Sequence, residues 1–381
     1  FCMGVCNGFA IPVAQRFGAK DQTGLRKFVA NSVWLSIVFA VIMTIVTCIL
    51  CRQIMTWMRT PADIFEDANT YIFIIFIGIP ATYLYNLVSG IIRSLGDSRS
   101  PLFFLIVSSV LNIGLDFLFI LTFHMGVAGA AWATVISQAV SGIGCLFYMK
   151  HKFEILKIRP EEWKMDTKYM KILCGMGIPM GLQYSITAIG SVILQTAVNT
   201  LGSSAVAAIT AGSKVSMFFC CPYDAMGSTM ATYAGQNVGA GKLDRVKKGM
   251  LSCCLLGLIY AVLAFVFLFF FGRYTALLFM EASEKAILGN VTTFLLINSA
   301  FFFPLSLVNI IRFTIQGMGY SVLAICAGIC EMVARSIVGF VFVPMWGFVA
   351  ACFASPVAWI CADIFLIPAF FYCLRRLKKV Y

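Results

Sequence analysis

Asn112 and Asp116 stand four residues apart inside an otherwise apolar run, 102–123. That spacing places both on one face of a helix, about a turn from each other. A carboxylate among apolar groups is costly unless it takes up a proton or has a cation beside it. An amide oxygen and a carboxylate are also the hard donors that a cation such as sodium prefers. Gly114, between the two, leaves room for a neighbouring backbone. Glu331 and Arg335, spaced i,i+4 in another apolar run, can pair with each other or line a cavity. Lys214 interrupts the run 205–219 and reads as a lysine buried mid-span. Asp224 follows beyond Pro222, which cannot donate a backbone hydrogen bond and should bend its helix. Gln183 and Tyr184 can bond a substrate or a neighbouring helix, and Asp363 stands in the last apolar run without an evident partner. The candidate cavity residues are thus Gln183, Tyr184, Lys214, Asp224, Glu331 and Arg335.

Other chemistries are poorly supported. His124 and His151 flank no cysteine pair at zinc-ligand spacing, and most cysteines sit in apolar runs as small hydrophobes. The stretch Gly235 to Lys242 has five residues between Gly235 and Gly241 and Leu243 after the lysine. A phosphate loop needs four residues there and a Ser or Thr, so ATP is not the fuel on this chain. No two acidic residues lie close together within an apolar run, which disfavours an intramembrane prenyltransferase or aspartyl protease. Neither an enzymatic cofactor nor a metal is expected, beyond a coupling sodium ion or proton.

The elements that must carry these residues follow from composition. Of 381 residues, 61% are hydrophobic and 12% charged, outside the range of soluble domains. Apolar runs fall near 1–15, 28–51, 70–92, 102–123, 127–149, 172–199, 204–234, 249–272, 288–311, 321–344 and 347–373. Each of the full-length runs suffices for one membrane-crossing helix. The expected fold is therefore an all-α polytopic membrane protein. If the runs alternate sides, the connections 16–27, 93–99, 150–171 and 242–248, Arg312 and the tail 375–379 carry 22 basic residues. The opposite set, Arg52, Arg59, Arg273 and Lys285, has 4. The positive-inside rule then makes the first set and the C-terminus cytoplasmic. Asp63, Glu66, Asp67, Glu281 and Glu284 cluster on the other face. The net charge of +12 reads as a lining against an anionic leaflet, with no nucleic acid implied.

The chain also repeats itself. Gln15, Gly18 and Ala19 match Gln236, Gly239 and Ala240 at an offset of 221. Asn86, Gly96 and Ser98 match Asn309, Gly319 and Ser321 at 223, and Gly126, Ala128 and Ala130 match Gly347, Val349 and Ala351 at 221. Basic connections match basic connections, so the halves are parallel repeats. The expected division is an N-terminal lobe 1–150, a solvated cytoplasmic linker 151–171 and a C-terminal lobe 172–381. By the offset, Phe1 corresponds to Pro222 within the second helix of the other half. About 50 residues of a matching first half would then be absent: one helix and half of the next. The intact design is expected to hold twelve helices in two lobes of six, about eleven of them present here.

These features resemble the multidrug and toxic compound extrusion (MATE) family over essentially the whole chain. The carriers are the paired Gln-x-x-Gly-Ala turns at Gln15 and Gln236, the segment Arg93-Ser94-Leu95-Gly96-Asp97-Ser98, the segment Leu111-Asn112-Ile113-Gly114-Leu115-Asp116, and the run of small residues from Gly126 to Thr134. The resemblance implies two six-helix bundles that exchange an ion moving inward for a drug-like compound moving outward, by alternating access. It implies an ion site of Asn112, Asp116 and Thr134, with an aspartate on a first helix that this chain lacks. Thr187 stands where some members carry a glutamate eight residues after Pro179, a departure that argues against a carboxylate site of that type in the second half. The expected setting is a monomer in the cell membrane, with small drug-like substrates and the lipid bilayer as its partners. The competing reading within the same superfamily is a flippase for lipid-linked saccharides. It calls for many basic residues in the cavity, where the sequence suggests only Lys214 and Arg335.

Overall fold

In hydrocarbon a backbone amide finds no water, so each crossing segment must close its own hydrogen bonds. A computed structural model describes residues 1–58, 60–277 and 285–380, and every apolar run in it is helical. Arg59, Glu281 and Glu284 lie outside the described residues, as does the side chain of Lys285. The helices are α1 (Cys2–Gly18), α2 (Gln22–Trp57), α3 (Phe65–Ile77), α4 (Ile79–Ser94), α5 (Arg99–Asp116), α6 (Gly126–Lys152), α7 (Thr167–Asn199), α8 (Ser203–Gly239), α9 (Leu243–Ala276), α10 (Lys285–Ala300), α11 (Phe302–Gly317), α12 (Ser321–Ile337) and α13 (Val343–Leu377). The protein is thus an all-α polytopic membrane protein.

Two expected spans are broken. The α3/α4 pair bends by 44° at Gly78, and the α10/α11 pair by 49° at Phe301. Pro80 and Pro304 follow these bends, and a proline can neither donate to the preceding turn nor avoid its carbonyl. By contrast α8 continues through Pro222 as one helix. The stretch Ser321–Leu377 has 57 residues. At 1.5 Å per residue it would extend about 85 Å, enough for two crossings. A π turn at Val338–Phe342 and the non-helical Gly347 (φ 61°) divide it.

The same irregularities recur at the offsets that the sequence repeat shows. Phe301 follows Gly78 by 223 residues, and the π turn at 338–342 follows another at Phe117–Thr122 by 221. Left-handed glycines pair likewise, Gly96 (φ 91°) with Gly319 (φ 98°) and Gly126 (φ 57°) with Gly347. Contacts divide the chain into two compact units, Cys2–Gly177 and Ile178–Tyr381 with Phe1. The division falls inside α7, beyond the charged connection.

Large side chains such as Tyr83, Phe302 and Phe370 fill the interiors, but along some helices small residues mark the buried face and large ones the exposed face. On α9, Gly257, Ala261, Ala264, Leu268 and Gly272 are buried, while Leu255, Leu256, Leu263 and Phe270 are exposed. Lipid is as apolar as leucine, so helices gain little by hiding leucine and more by close backbone approach. Gly8 on α1 and Gly177 on α7 show how close: a Cβ on Gly8 would lie 2.5 Å from the Gly177 Cα.

The connection 151–168 is largely exposed, as its charge suggests, but it is not loose. It forms 3₁₀ turns at Glu154–Leu156 and Pro160–Trp163 and is fastened to α2 at three places. Arg26 Nε donates to both Glu162 carboxylate oxygens at 2.9 and 2.8 Å. Trp34 Nε1 donates to the Trp163 carbonyl at 3.0 Å, and the Asp166 amide donates to Asn31 Oδ1 at 2.9 Å. The partners are more than a hundred residues away in sequence, so local composition conceals them.

Arg26 holds the Glu162 carboxyl below the usual carboxylate range. The stabilisation is therefore complete above the unfolded value of about 4.3 and is lost as pH falls through the lower folded value. Glu162→Gln should raise amide hydrogen exchange across 153–166 severalfold at pH 7. Equal exchange in the two proteins would show that the ion pair does not hold the connection.

Candidate functional site

In the first unit α5 and α6 bring two of the three predicted ion-site residues, Asn112 and Thr134, into contact. Asn112 Nδ2 on α5 donates to Thr134 Oγ1 on α6 at 3.4 Å, and Thr134 Oγ1 donates to the Ala130 carbonyl at 3.1 Å. The Asn112 Oδ1 and a lone pair of Thr134 remain as acceptors. One turn along the same face, Asp116 is half-buried, and its buried Oδ1 has no hydrogen-bond partner. Asp116 closes α5 at the entrance to the π turn Phe117–Thr122, the kind of helix widening that recurs at functional sites. No atom outside the local helix lies within 4 Å of where a Gly114 Cβ would stand, so the expected room is present without a backbone filling it. The oxygens on offer are a carboxylate on Asp116 and, one helical turn away, an amide and a hydroxyl oxygen on Asn112 and Thr134, all hard donors. Among the described residues no three His, Cys, Asp or Glu side chains converge as a metal site.

The second unit holds a buried cluster that the sequence shows only in part. Glu331 and Arg335 on α12 do pair, at 3.4 Å, and both are buried. Arg312 joins them, its Nη2 donating to the other Glu331 oxygen. The sequence reading counts Arg312 with the cytoplasmic connections, but it lies within α11 at 4% exposure. The repeat carried the signal for this: the offset of 223 aligns Arg312 with Ser89, inside a span, and Gln316 with Arg93 at its end. Asp363 on α13 is also buried, with Oδ1 unpartnered, and it shares the electrostatic field of Arg312. Gln183 is buried, and its Oε1 accepts from Gln316 Nε2 at 3.3 Å, an interhelical packing contact. Gly328 on α12 faces Gln183, and Gly190 on α7 faces the Arg335 guanidinium, so the two glycines admit these long side chains between helices.

The remaining candidates stand apart from this core. Lys214 is exposed, not buried mid-span; it lines a depression of about 530 Å³ with Asn199, Ser203 and Thr210. It lies on a face of α8 that the second unit leaves uncovered. Asp224 is exposed farther along α8, and Tyr184 is half-buried; both lie in the electrostatic field of Arg312.

The MatE family model matches residues 1–118 and 179–351, well over half of the chain and inclusive of Asn112, Asp116, Arg312, Glu331 and Arg335. The chain belongs to the MatE family. It shares 31% identity over 313 residues with the probable multidrug resistance protein YpnP of Bacillus subtilis (strain 168), covering 82% of this chain and 69% of that one. With the probable multidrug resistance protein YoeA of the same organism it shares 27% identity over 291 residues, covering 74% of this chain and 63% of that one. About two thirds of each relative's length is therefore represented. A solved multidrug resistance MATE family transporter of the MOP superfamily, in an outward-facing conformation, superposes with a TM-score of 0.93 at 22% identity. That match covers 99% of this chain and 85% of the other. MatE proteins are membrane transporters, not enzymes, and this chain carries their multi-pass fold. Thr134 lies between the matched segments.

Glu331 is the common acceptor of two buried guanidinium groups. Removing one partner of such a set costs about 3–5 kcal/mol, because the remaining charge stays buried and unpaired. Glu331→Gln should therefore lower the thermal unfolding midpoint in detergent steeply, and far more than Glu66→Gln, whose pair with Arg52 is exposed. Equal losses in the two variants would contradict the assignment.

Proposed function

We propose that this MatE chain is a secondary antiporter that exports amphiphilic, often cationic, drug-like compounds. Sodium ions or protons moving inward drive the cycle by alternating access. The observation that carries this reading is the unpartnered, buried carboxylate oxygen of Asp116, one helical turn from Asn112, which bonds Thr134. Coupling an ion gradient to transport requires that the cation bind this site more tightly in one conformation than in the other. The names of the relatives, probable multidrug resistance proteins, support the substrate class. Phenylalanine and methionine are abundant, 35 and 18 residues, which suits a cavity that adapts to varied apolar ligands. In this reading the basic connections and the C-terminus face the cytoplasm, and the protein works as a monomer in the cell membrane.

A lipid-linked saccharide flippase would need free cations to meet a pyrophosphate. Arg312 raises the mid-span basic count, but with Lys214 and Arg335 the count is still small and two of the three share Glu331, which favours the exporter.

The test is transport by the chain reconstituted into vesicles with an imposed sodium or proton gradient. One of the two gradients should accelerate ethidium efflux; no response to either would refute antiport. Asp116→Asn should abolish the dependence on the gradient, and Thr134→Ala should weaken the apparent affinity for the ion by about tenfold, the loss of one hydrogen-bonding oxygen. Unchanged coupling in Asp116→Asn would remove that residue from the ion site.

A further inference from the structure

The first unit contains a groove that ion coupling does not use. Its volume is about 680 Å³, and its walls come from α2, α4, α6 and the fastened connection. Val33, Ile37, Val41, Leu84, Leu87 and Leu146 make it apolar, while Lys150 and Lys157 stand at its rim with Trp163. Lys150 is exposed, and Lys157 is held only by an exposed i,i+3 contact to Glu154 at 3.2 Å, which an anion can displace. Trp163 is 40% exposed, the amphipathic setting of an interfacial aromatic. Ser36, buried in the wall, keeps an unpartnered hydroxyl.

The dimensions select the occupant. Along α2 the lining residues run from Val29 to Val41, about 18 Å at 1.5 Å per residue. That is slightly more than half of the ~30 Å hydrocarbon core, the depth of one leaflet. The rim lies at the end of α2 that Arg26 and Trp34 tie to the connection, the side of the basic segments. A single groove thus offers a chain-length apolar wall, cations at headgroup level and an interfacial tryptophan.

We propose that this groove binds an anionic glycerophospholipid from the leaflet on the basic side. Its phosphate lies between Lys150 and Lys157, and one acyl chain lies against Ile37, Val41 and Leu84. The charge complementarity commits the site to an anionic headgroup, and the depth commits it to a lipid rather than a soluble anion. Because the connection forms part of the wall, the bound lipid also holds 153–163 against α2. The proposal is independent of what the protein transports.

The test is native mass spectrometry of the purified chain with phosphatidylglycerol or phosphatidylcholine of identical acyl chains. The protein should retain one phosphatidylglycerol with about tenfold preference, in line with the attraction of a juxtamembrane lysine pair for anionic lipid. The double variant Lys150→Gln/Lys157→Gln should lose the preference. Ile37→Trp, at a position 50% exposed and so free to accept a larger side chain, should lower retention of both lipids by filling the groove. Lys247→Gln/Lys248→Gln, at the start of α9, should leave binding unchanged. Equal retention of the two lipids by the unaltered protein overturns the proposal. So does an equal loss in the α9 control, which would mark general surface attraction, or full retention in Ile37→Trp.

Discussion

A peptide group within hydrocarbon has no water to turn to, and the rest of this structure depends on that constraint. It forces every apolar run into helix and makes any interruption costly. The interruptions present are accordingly few and specific: bends ahead of Pro80 and Pro304, π turns after Asp116 and Ile337, and a left-handed glycine at Gly347. Each falls at the corresponding place in both halves, so the duplicated unit carries its helix breaks with it. In one half only does a break coincide with a carboxylate. Asp116 enters the first π turn, whereas Ile337 enters the second.

The two units therefore handle charge in different ways. In the first, Asp116 stands one helical turn from the bonded pair Asn112 and Thr134, and its buried Oδ1 has no hydrogen-bond partner. In the second, two arginines and a glutamate are joined directly, and Asp363 stands in the field of Arg312. Glu331 is shared between two cations, and Arg312 Nε and Arg335 Nη1 have no hydrogen-bond partner among the described residues, so the cluster is sensitive to the loss of its one bonded carboxylate.

The spans were legible because a bilayer imposes a length and a composition on each, and the repeat was legible because small residues at helix contacts resist replacement. Asn112 and Asp116 announced themselves as polar groups where polar groups are expensive. The bonding of Asn112 to Thr134 follows the resemblance, not any spacing within the chain. What stayed hidden were the pairings across the fold. Glu162 gives no local hint of Arg26, and an exposed, charged stretch does not show in its composition that it is also fastened. The sequence does not show that Arg312 is interior because it lies close to the end of an apolar run, where one helical turn decides between interface and interior. Lys214 erred in the opposite direction, since a lysine within an apolar run shows its depth but not which face of the helix it occupies.

The placement of small residues inward on α9 changes what counts as a conservative substitution. In a water-soluble protein the large apolar side chains are the ones that tolerate least. Here Leu255 faces outward and can be exchanged for isoleucine or phenylalanine with little change in its surroundings, since lipid adapts to the new shape. Gly257, two positions along, has the side chain of Ser306 against it, and a single added carbon collides. Sequence drift in such a protein should collect in its bulkiest residues, and its glycines and alanines should record the architecture.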